Sequence, residues 1–376
     1  TPLAQHPLAQ HLEPLCAGSA MIAARDSDRL TEYDGDLSGL AIEPLGTRPV
    51  SPTRLEAWVA CPHAWFMQYV LEVGPVDQPD EQFQISPKDR GTLVHGALDH
   101  FHQQVIEGVL PQPGPDGWTA AHLEALLQCF TDEAHGLERL GLVGRKAFWS
   151  AEQSRQRHEL AVWMRHDSEW IAARGAQLVA SEQRFGVAGL APAVIALPGG
   201  GQVLMRGQVD RIDRCSDGSL VVTDHKTGGA DGYRDISDLD STARVTRFQL
   251  PAYAAAALTI TGTDSSTSVL AEYGFLAKGG YKRVGSSIGP QQWPLIGTRL
   301  ARILDGISSG LFVALPQKSQ YQLSFTPCEY CDPDHLGTAE RWAQFERKLA
   351  DPRVSALLGS FIDMDDANEG RLGDDV

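Results

Sequence analysis

Hydrophobic positions recur at helical spacing in the first half of the chain and switch to short β-branched runs in its centre. Leu93, Val94, Ala97, Leu98, Phe101 and Val105 form one stripe, predicting an amphipathic helix over 91–109. His95, Asp99 and His102 lie at i, i+4 and i+7 on another face of it. Ser51 followed by Pro52 reads as an N-cap and first helical residue, with Glu56 in the early turns. Helical patterning then runs from Thr119 to Arg174, interrupted near Gly141–Gly144. This stretch, roughly 110–175, reads as a helical insertion in which Trp149, Trp163 and Trp170 are core positions. Gln177 to Phe185 reads as a strand bearing Glu182, and Pro192 to Pro198, turned by Gly199-Gly200-Gly201, is expected to continue the same sheet. The fold class is therefore α/β, a central mixed sheet with helices on its flanks.

The densest chemistry lies in Gly207-Gln208-Val209-Asp210-Arg211-Ile212-Asp213 and Val221-Val222-Thr223-Asp224-His225-Lys226-Thr227-Gly228. Asp217-Gly218 between two such apolar runs is a hairpin signal. A turn centred on Asp217 puts Asp210 opposite Asp224, each seven residues away. Period-two alternation puts Asp224 and Lys226 on one face. Two carboxylates with an ammonium beside them suit a hard divalent cation and a developing negative charge. An Asp-x-Lys triplet alone is an ordinary solvated strand end, so the weight comes from its flanks. Further on, Gln249 and Tyr253 stand one helical turn apart, with Pro251 placing them in a first turn.

The chain has 376 residues, 42% of them hydrophobic, enough for a large core. No apolar run is long enough for a membrane helix and no signal peptide is visible; a cytoplasmic location is expected. Six cysteines in so long a chain do not make a disulfide scaffold. The formal charge of −16 opposes indiscriminate coating of DNA. Arg206, Arg211, Arg214, Lys226, Arg234, Arg244, Arg247, Lys278, Lys282 and Arg283 nevertheless fall in the central third, where clustering around a groove would offset it.

In their order these motifs resemble the PD-(D/E)XK nuclease superfamily, in particular the nuclease domains of RecB- and AddB-type helicase-nucleases. Ser51 to Pro62 resembles the opening helix, Gly91-Thr92-Leu93-Val94-His95 the helical histidine motif, and Glu182 the early strand glutamate. Asp210 with Asp224-His225-Lys226 resembles the metal-binding core, Gln249-Leu250-Pro251-Ala252-Tyr253 the Gln-x-x-x-Tyr helix, and Cys328-Glu329-Tyr330-Cys331 the closing cysteine segment. The resemblance implies a restriction-endonuclease-like core and Mg²⁺- or Mn²⁺-dependent phosphodiester hydrolysis. His95, Asp210, Asp224 and the carbonyl of His225 would be the ligands, Lys226 the catalytic cation, Glu182 an auxiliary group, and Gln249 and Tyr253 substrate-positioning residues. His225 stands where the family commonly has tyrosine.

The resemblance also implies an iron-sulfur cluster, for which Cys61, Cys328 and Cys331 match three positions, whereas the fourth falls on Gly337. A cluster with another fourth ligand (His335, Asp334 or an external group), a zinc site and a degenerate site all stay open. Cys16, Cys129 and Cys215 read as ordinary thiols. The expected organisation is a linker or remnant of a helicase-like region over 1–50, a nuclease domain over 51–350 and an acidic tail over 351–376. Single-stranded DNA ends and a helicase partner, separate or covalently preceding, would be the associates in recombination repair. A noncatalytic module of the same fold, or a stand-alone nuclease acting on RNA or foreign DNA, would share these motifs.

Overall fold

Five strands form the mixed sheet that carries the chemistry: β1 (Gln177–Phe185), β4 (Gly207–Arg214), β5 (Leu220–Lys226), β6 (Val269–Phe275) and β7 (Arg283–Ile288), in the order β1-β4-β5-β6-β7. Every neighbouring pair is antiparallel except β5 and β6. That parallel pair requires a crossover, which includes the helix Gln249–Thr261. The structure is a computed structural model, describing residues 12–40, 45, 48–74, 83–230, 233, 247–316, 330 and 341–358. None of the described helices is long and apolar enough to cross a membrane.

The helices are α1 (Glu13–Asp26), α2 (Pro52–Ala60), α3 (Pro62–Tyr69), α4 (Pro87–Ile106), α5 (Ala120–Leu140), α6 (Lys146–Arg174), α7 (Gln249–Thr261), α8 (Trp293–Ser308), α9 (Arg341–Lys348) and α10 (Pro352–Leu358). The chain divides into two units, so the 51–350 span is distributed over both. One comprises 78–240 and 247–297, and holds the sheet; the other comprises 1–77, 241–246 and 298–376.

In the sheet unit, α4, α5 and α6 share one core with Leu178 and Val221 from the sheet and Leu276 just beyond β6. Trp149, Trp163 and Trp170 are buried there as the pattern predicts. The α7 helix packs on β4, β5 and β6 and on a separate hairpin, β2 (Ala193–Ala196) with β3 (Gln202–Met205). This corrects the expectation that residues 192–198 extend the central sheet: β2 pairs only with β3, forming a two-stranded sheet. The α4 helix starts at Pro87, because Ser86 Oγ caps it by accepting from Asp89 N at 3.0 Å. Its second face is not solvated, since His102 is fully buried between sheet and α6.

An ion network penetrates this core. The Arg211 guanidinium donates two bonds to Asp213, at 2.7 and 2.9 Å, and one to Asp167 of α6 at 2.7 Å. Asp167 also accepts from Trp118 Nε1 at 2.7 Å and from Arg283 at 2.5 Å. Arg283 reaches Glu272 at 2.5 Å and Thr223 at 3.1 Å. The network thus ties α6 to β4, β5, β6 and β7. Arg211 and Arg283, counted among the basic residues of a groove, are spent on this internal network.

In the other unit, Lys348 is buried and donates to Ala24 O at 2.6 Å and Arg29 O at 2.7 Å, with Asp34 3.1 Å away. Asp351 accepts from Leu30 N at 2.9 Å, and Arg353 pairs with Asp36 at 2.5 Å. Residues near 24–36 and 348–353 are therefore fastened together. Ser51 caps α2 as predicted.

Breaking a buried ion pair on one side leaves an uncompensated charge in low dielectric. Asp167→Ala is predicted to destabilise the protein by about 3–5 kcal/mol, read by urea unfolding followed by circular dichroism. A midpoint unchanged from wild type would show that the network does not fasten α6 to the sheet.

Candidate metal centre

The β4–β5 ladder has the predicted register, with Arg211 opposite Thr223 and Ile212 opposite Val222. Continued by one residue, it sets Asp210 opposite Asp224. On its other side β4 pairs with β1, Arg211 opposite Ser181 and Val209 opposite Gln183, so Glu182 and Asp210 fall opposite each other. Tyr273 of β6 pairs with Asp224. Three carboxylates and a phenol therefore form a row across four strands. Glu182 adopts a left-handed backbone with φ 45°, a conformation rare outside glycine. It interrupts the ladder where its side chain turns to the site.

His95 of α4 closes the row. Its Nδ1 lies 3.2 Å from Glu182 Oε1 and 3.5 Å from Asp210 Oδ2, and its Nε2 is 3.0 Å from the carbonyl oxygen of His225. His95, Glu182 and Asp210 each place a ligand atom within 4.8 Å of the others. Asp210 Oδ2 also accepts from His225 N at 2.7 Å, and Gln208 Nε2 donates to the second Glu182 oxygen. Lys226 Nζ forms an ion pair with the buried Asp224 Oδ2 at 2.5 Å. The same Nζ sits 5.2 Å from the centre of the Tyr273 ring.

Burial pushes the Asp210 carboxyl up to about 8, helped by the neighbouring Asp224 charge. Burial also raises Asp224, although Lys226 opposes the shift. For His95 burial works downward, but the Glu182 hydrogen bond and the Asp210, Glu182 and Asp224 charges outweigh it and lift the imidazole to about 9. At neutral pH a protonated imidazole thus lies among the Glu182 carboxylate, the proton-bearing Asp210 carboxyl and a carbonyl. These are acceptors converging on one positive charge, and hard oxygen donors with one imidazole fit a divalent cation.

Residues 49–335 of this chain match the PD-(D/E)XK nuclease superfamily. The chain belongs to that superfamily. Its mixed sheet with flanking helices accords with the PD-(D/E)XK fold expected from the motifs. It is also distantly similar to AddB-type subunits of ATP-dependent helicase/deoxyribonucleases. It is 27% identical to that of Acetivibrio thermocellus over 187 residues, 48% of this chain and 16% of the relative. Against that of Lacticaseibacillus casei it is 30% identical over 201 residues, 50% of this chain and 16% of the relative. For Symbiobacterium thermophilum the figures are 30% over 231 residues, 57% and 18%. The chain thus spans less than a fifth of the length of these relatives.

In this superfamily member the sequence-selected residues do not all converge. Gln249 reaches the row indirectly, accepting from Tyr273 OH at 3.3 Å. Tyr253 is buried, its ring edge-on to Phe185 with centroids 6.2 Å apart. The His225 imidazole points to the opposite face, 5.7 Å from Trp163 and 6.3 Å from His102, and only its backbone faces the centre. Glu182, expected as an auxiliary group, stands in the inner triad. Sequence reasoning missed Gln208 and Tyr273. Strand alternation was the available signal, since Gln208 lies two residues before Asp210 and Tyr273 is paired with Asp224.

Cys61 Sγ is buried and accepts from Ala64 N at 3.5 Å and Leu315 N at 3.4 Å. Cys328 and Cys331 lie outside the described residues, and among the described residues no cysteine cluster forms around Cys61. A single sulfur does not define a cluster.

The raised His95 and Asp210 values make metal-free stability depend on pH. A group whose folded pKa exceeds its unfolded one stabilises below the unfolded value and loses that contribution as pH rises through the folded value. Both groups bind protons more tightly when folded, so in EDTA the melting temperature is predicted to fall as pH rises through the His95 window, from 6.5 to about 9. Saturating Mn²⁺ replaces those protons and should flatten the fall. Melting curves in EDTA that stay level across this window would contradict the assignment.

Proposed function

We propose that this domain is a Mg²⁺- or Mn²⁺-dependent deoxyribonuclease that hydrolyses phosphodiester bonds, with single-stranded DNA ends as substrate. The observation that carries the reading is the convergence of His95, Glu182 and Asp210 beside an Asp224–Lys226 pair, in a chain of nuclease ancestry. His95, Glu182, Asp210, Asp224 and the His225 carbonyl would hold the cation. When bound, it would polarise a phosphate oxygen and lower the pKa of an attacking water.

The chain's own groups divide the remaining work. Burial draws the Lys226 pKa down, but the Asp224 charge outweighs it, so the ammonium stays protonated. With its charge retained at the rim of the carboxylate row, Lys226 orients the water and stabilises the extra charge on the phosphate in the transition state. Tyr273, under the Lys226 ammonium and bonded to Gln249, fixes where that charge lies. Gln249 and Tyr253 retain the substrate-positioning role that the family motif assigns, Tyr253 acting through its packing on β1. The AddB-type relatives, named for helicase and deoxyribonuclease, support DNA as substrate and a motor that separates the strands before they enter the cleft. In that setting the chain would act as an exonuclease domain in DNA-end processing.

The test is digestion of end-labelled single-stranded DNA, duplex DNA and RNA with Mg²⁺ or Mn²⁺. Single-stranded DNA should be cut fastest. Asp224→Ala and Lys226→Ala should each lower the rate by on the order of a thousandfold or more, from the several kcal/mol such charge stabilisation supplies, with circular dichroism unchanged. Wild-type turnover by folded Asp224→Ala would refute the mechanism, and exclusive cleavage of RNA would refute the substrate.

A further inference from the structure

The strand register that aligns the three carboxylates also aligns what lies two residues along from each. Arg184 of β1 is the cross-strand partner of Gln208 on β4. Carried past its last paired residues, the β4–β5 register sets Lys226 against Gln208 on the other side. The row Glu182, Asp210, Asp224 is thus followed by a second row, Arg184, Gln208, Lys226, about 7 Å further along the strands. The metal centre therefore has one cation beside it on β5 and another on β1, with backbones about 10 Å apart across two strand spacings.

Contacts on the page tie Arg184 to the metal ligands. Its Nε donates to Gln208 Oε1 at 3.2 Å, and the same amide donates through Nε2 to the second Glu182 oxygen. The amide is thus oriented head to tail between a guanidinium and a carboxylate of the inner triad. Arg184 is exposed, and its two terminal nitrogens make no hydrogen bond or ion pair among the described residues. A direct Arg184–Glu182 pair would cancel negative charge that a cation needs. The interposed amide holds the guanidinium one side chain away from Glu182, with its terminal N–H groups open.

An oriented guanidinium beside a carboxylate row suits an anion that must approach that row, and its planar fork matches phosphate oxygens. In the proposed deoxyribonuclease, on which this inference rests, that anion is the DNA backbone. We propose that Arg184, oriented by Gln208, is a positioning residue that binds the phosphate next to the scissile one. The scissile phosphate lies by the carboxylate row and Lys226, and the backbone crosses β4 toward β1. Two long side chains flank the gap, so the two cations can hold adjacent phosphates of one extended strand. A mononucleotide has no second phosphate for Arg184, so the site favours strands over single nucleotides.

Fluorescence anisotropy of a labelled single-stranded DNA oligonucleotide with Mg²⁺, in the slow-cutting Lys226→Ala background, reads binding without relying on cleavage. Arg184→Gln should weaken binding about tenfold and lower the slope of log Kd against log salt by about 0.7, the share of one phosphate contact. Arg184→Lys should recover the slope, which a merely structural role would not do. Replacing single phosphates by neutral methylphosphonates should weaken binding, and at one position the penalty should vanish in Arg184→Gln. Unchanged Kd and salt slope in folded Arg184→Gln, while the wild-type protein cuts single strands, would overturn this proposal and leave the nuclease reading standing. The Arg184 effects without any cleavage by the wild-type protein would overturn the nuclease reading and keep the phosphate contact. Absence of salt-dependent binding to single strands would overturn both.

Discussion

Three carboxylates stand side by side on adjacent strands, and like charges directly opposite in a ladder repel. Strand register brings Glu182, Asp210 and Asp224 into that arrangement, and β4 supplies the middle member. The next residue of β4, Arg211, points to the other face and is locked between Asp213 and Asp167. A one-residue slip of β4 would therefore expel a paired guanidinium from the core as well as scatter the carboxylates. The ion network on one face fixes the unfavourable charge row on the other.

This arrangement depends on the helices α4, α5 and α6 that precede the sheet. The α6 helix carries Asp167 to β4 and β7, and Trp163 and Trp170 to the face beneath the site. The α4 helix, covered in turn by α5, brings His95 to the other end of the row. Concentrating and desolvating like charges costs stability. Here the unfavourable row is offset by protons on His95 and Asp210 in the metal-free protein, and a cation would offset it in the bound one.

The hairpin was legible in the sequence because a tight Asp-Gly turn and period-two alternation together leave one register, and Asp210 opposite Asp224 follows from them. The stretch 120–174 was legible as two helices because Gly141 ends the first with a left-handed backbone. The pairing of residues 192–198 was not, since a short apolar strand does not reveal its partner; Gly199–Gly201 turns the chain back on itself before the central sheet resumes. Glu182 was read as peripheral because its left-handed turn inward is a tertiary effect. The Asp167–Arg211 link was invisible for a similar reason. The two residues are 44 positions apart, and each reads locally as ordinary surface charge.

The central claim is that His95, Glu182 and Asp210 form one cation site whose charge is balanced by protons when no metal is bound. Electron paramagnetic resonance titration of the intact chain with Mn²⁺ tests it most directly. The account predicts saturable Mn²⁺ binding that weakens as pH falls from 9 to 6.5 and is lost in folded His95→Gln and Asp210→Asn. Mn²⁺ binding of unchanged affinity in both variants, or binding independent of pH in this range, would contradict it.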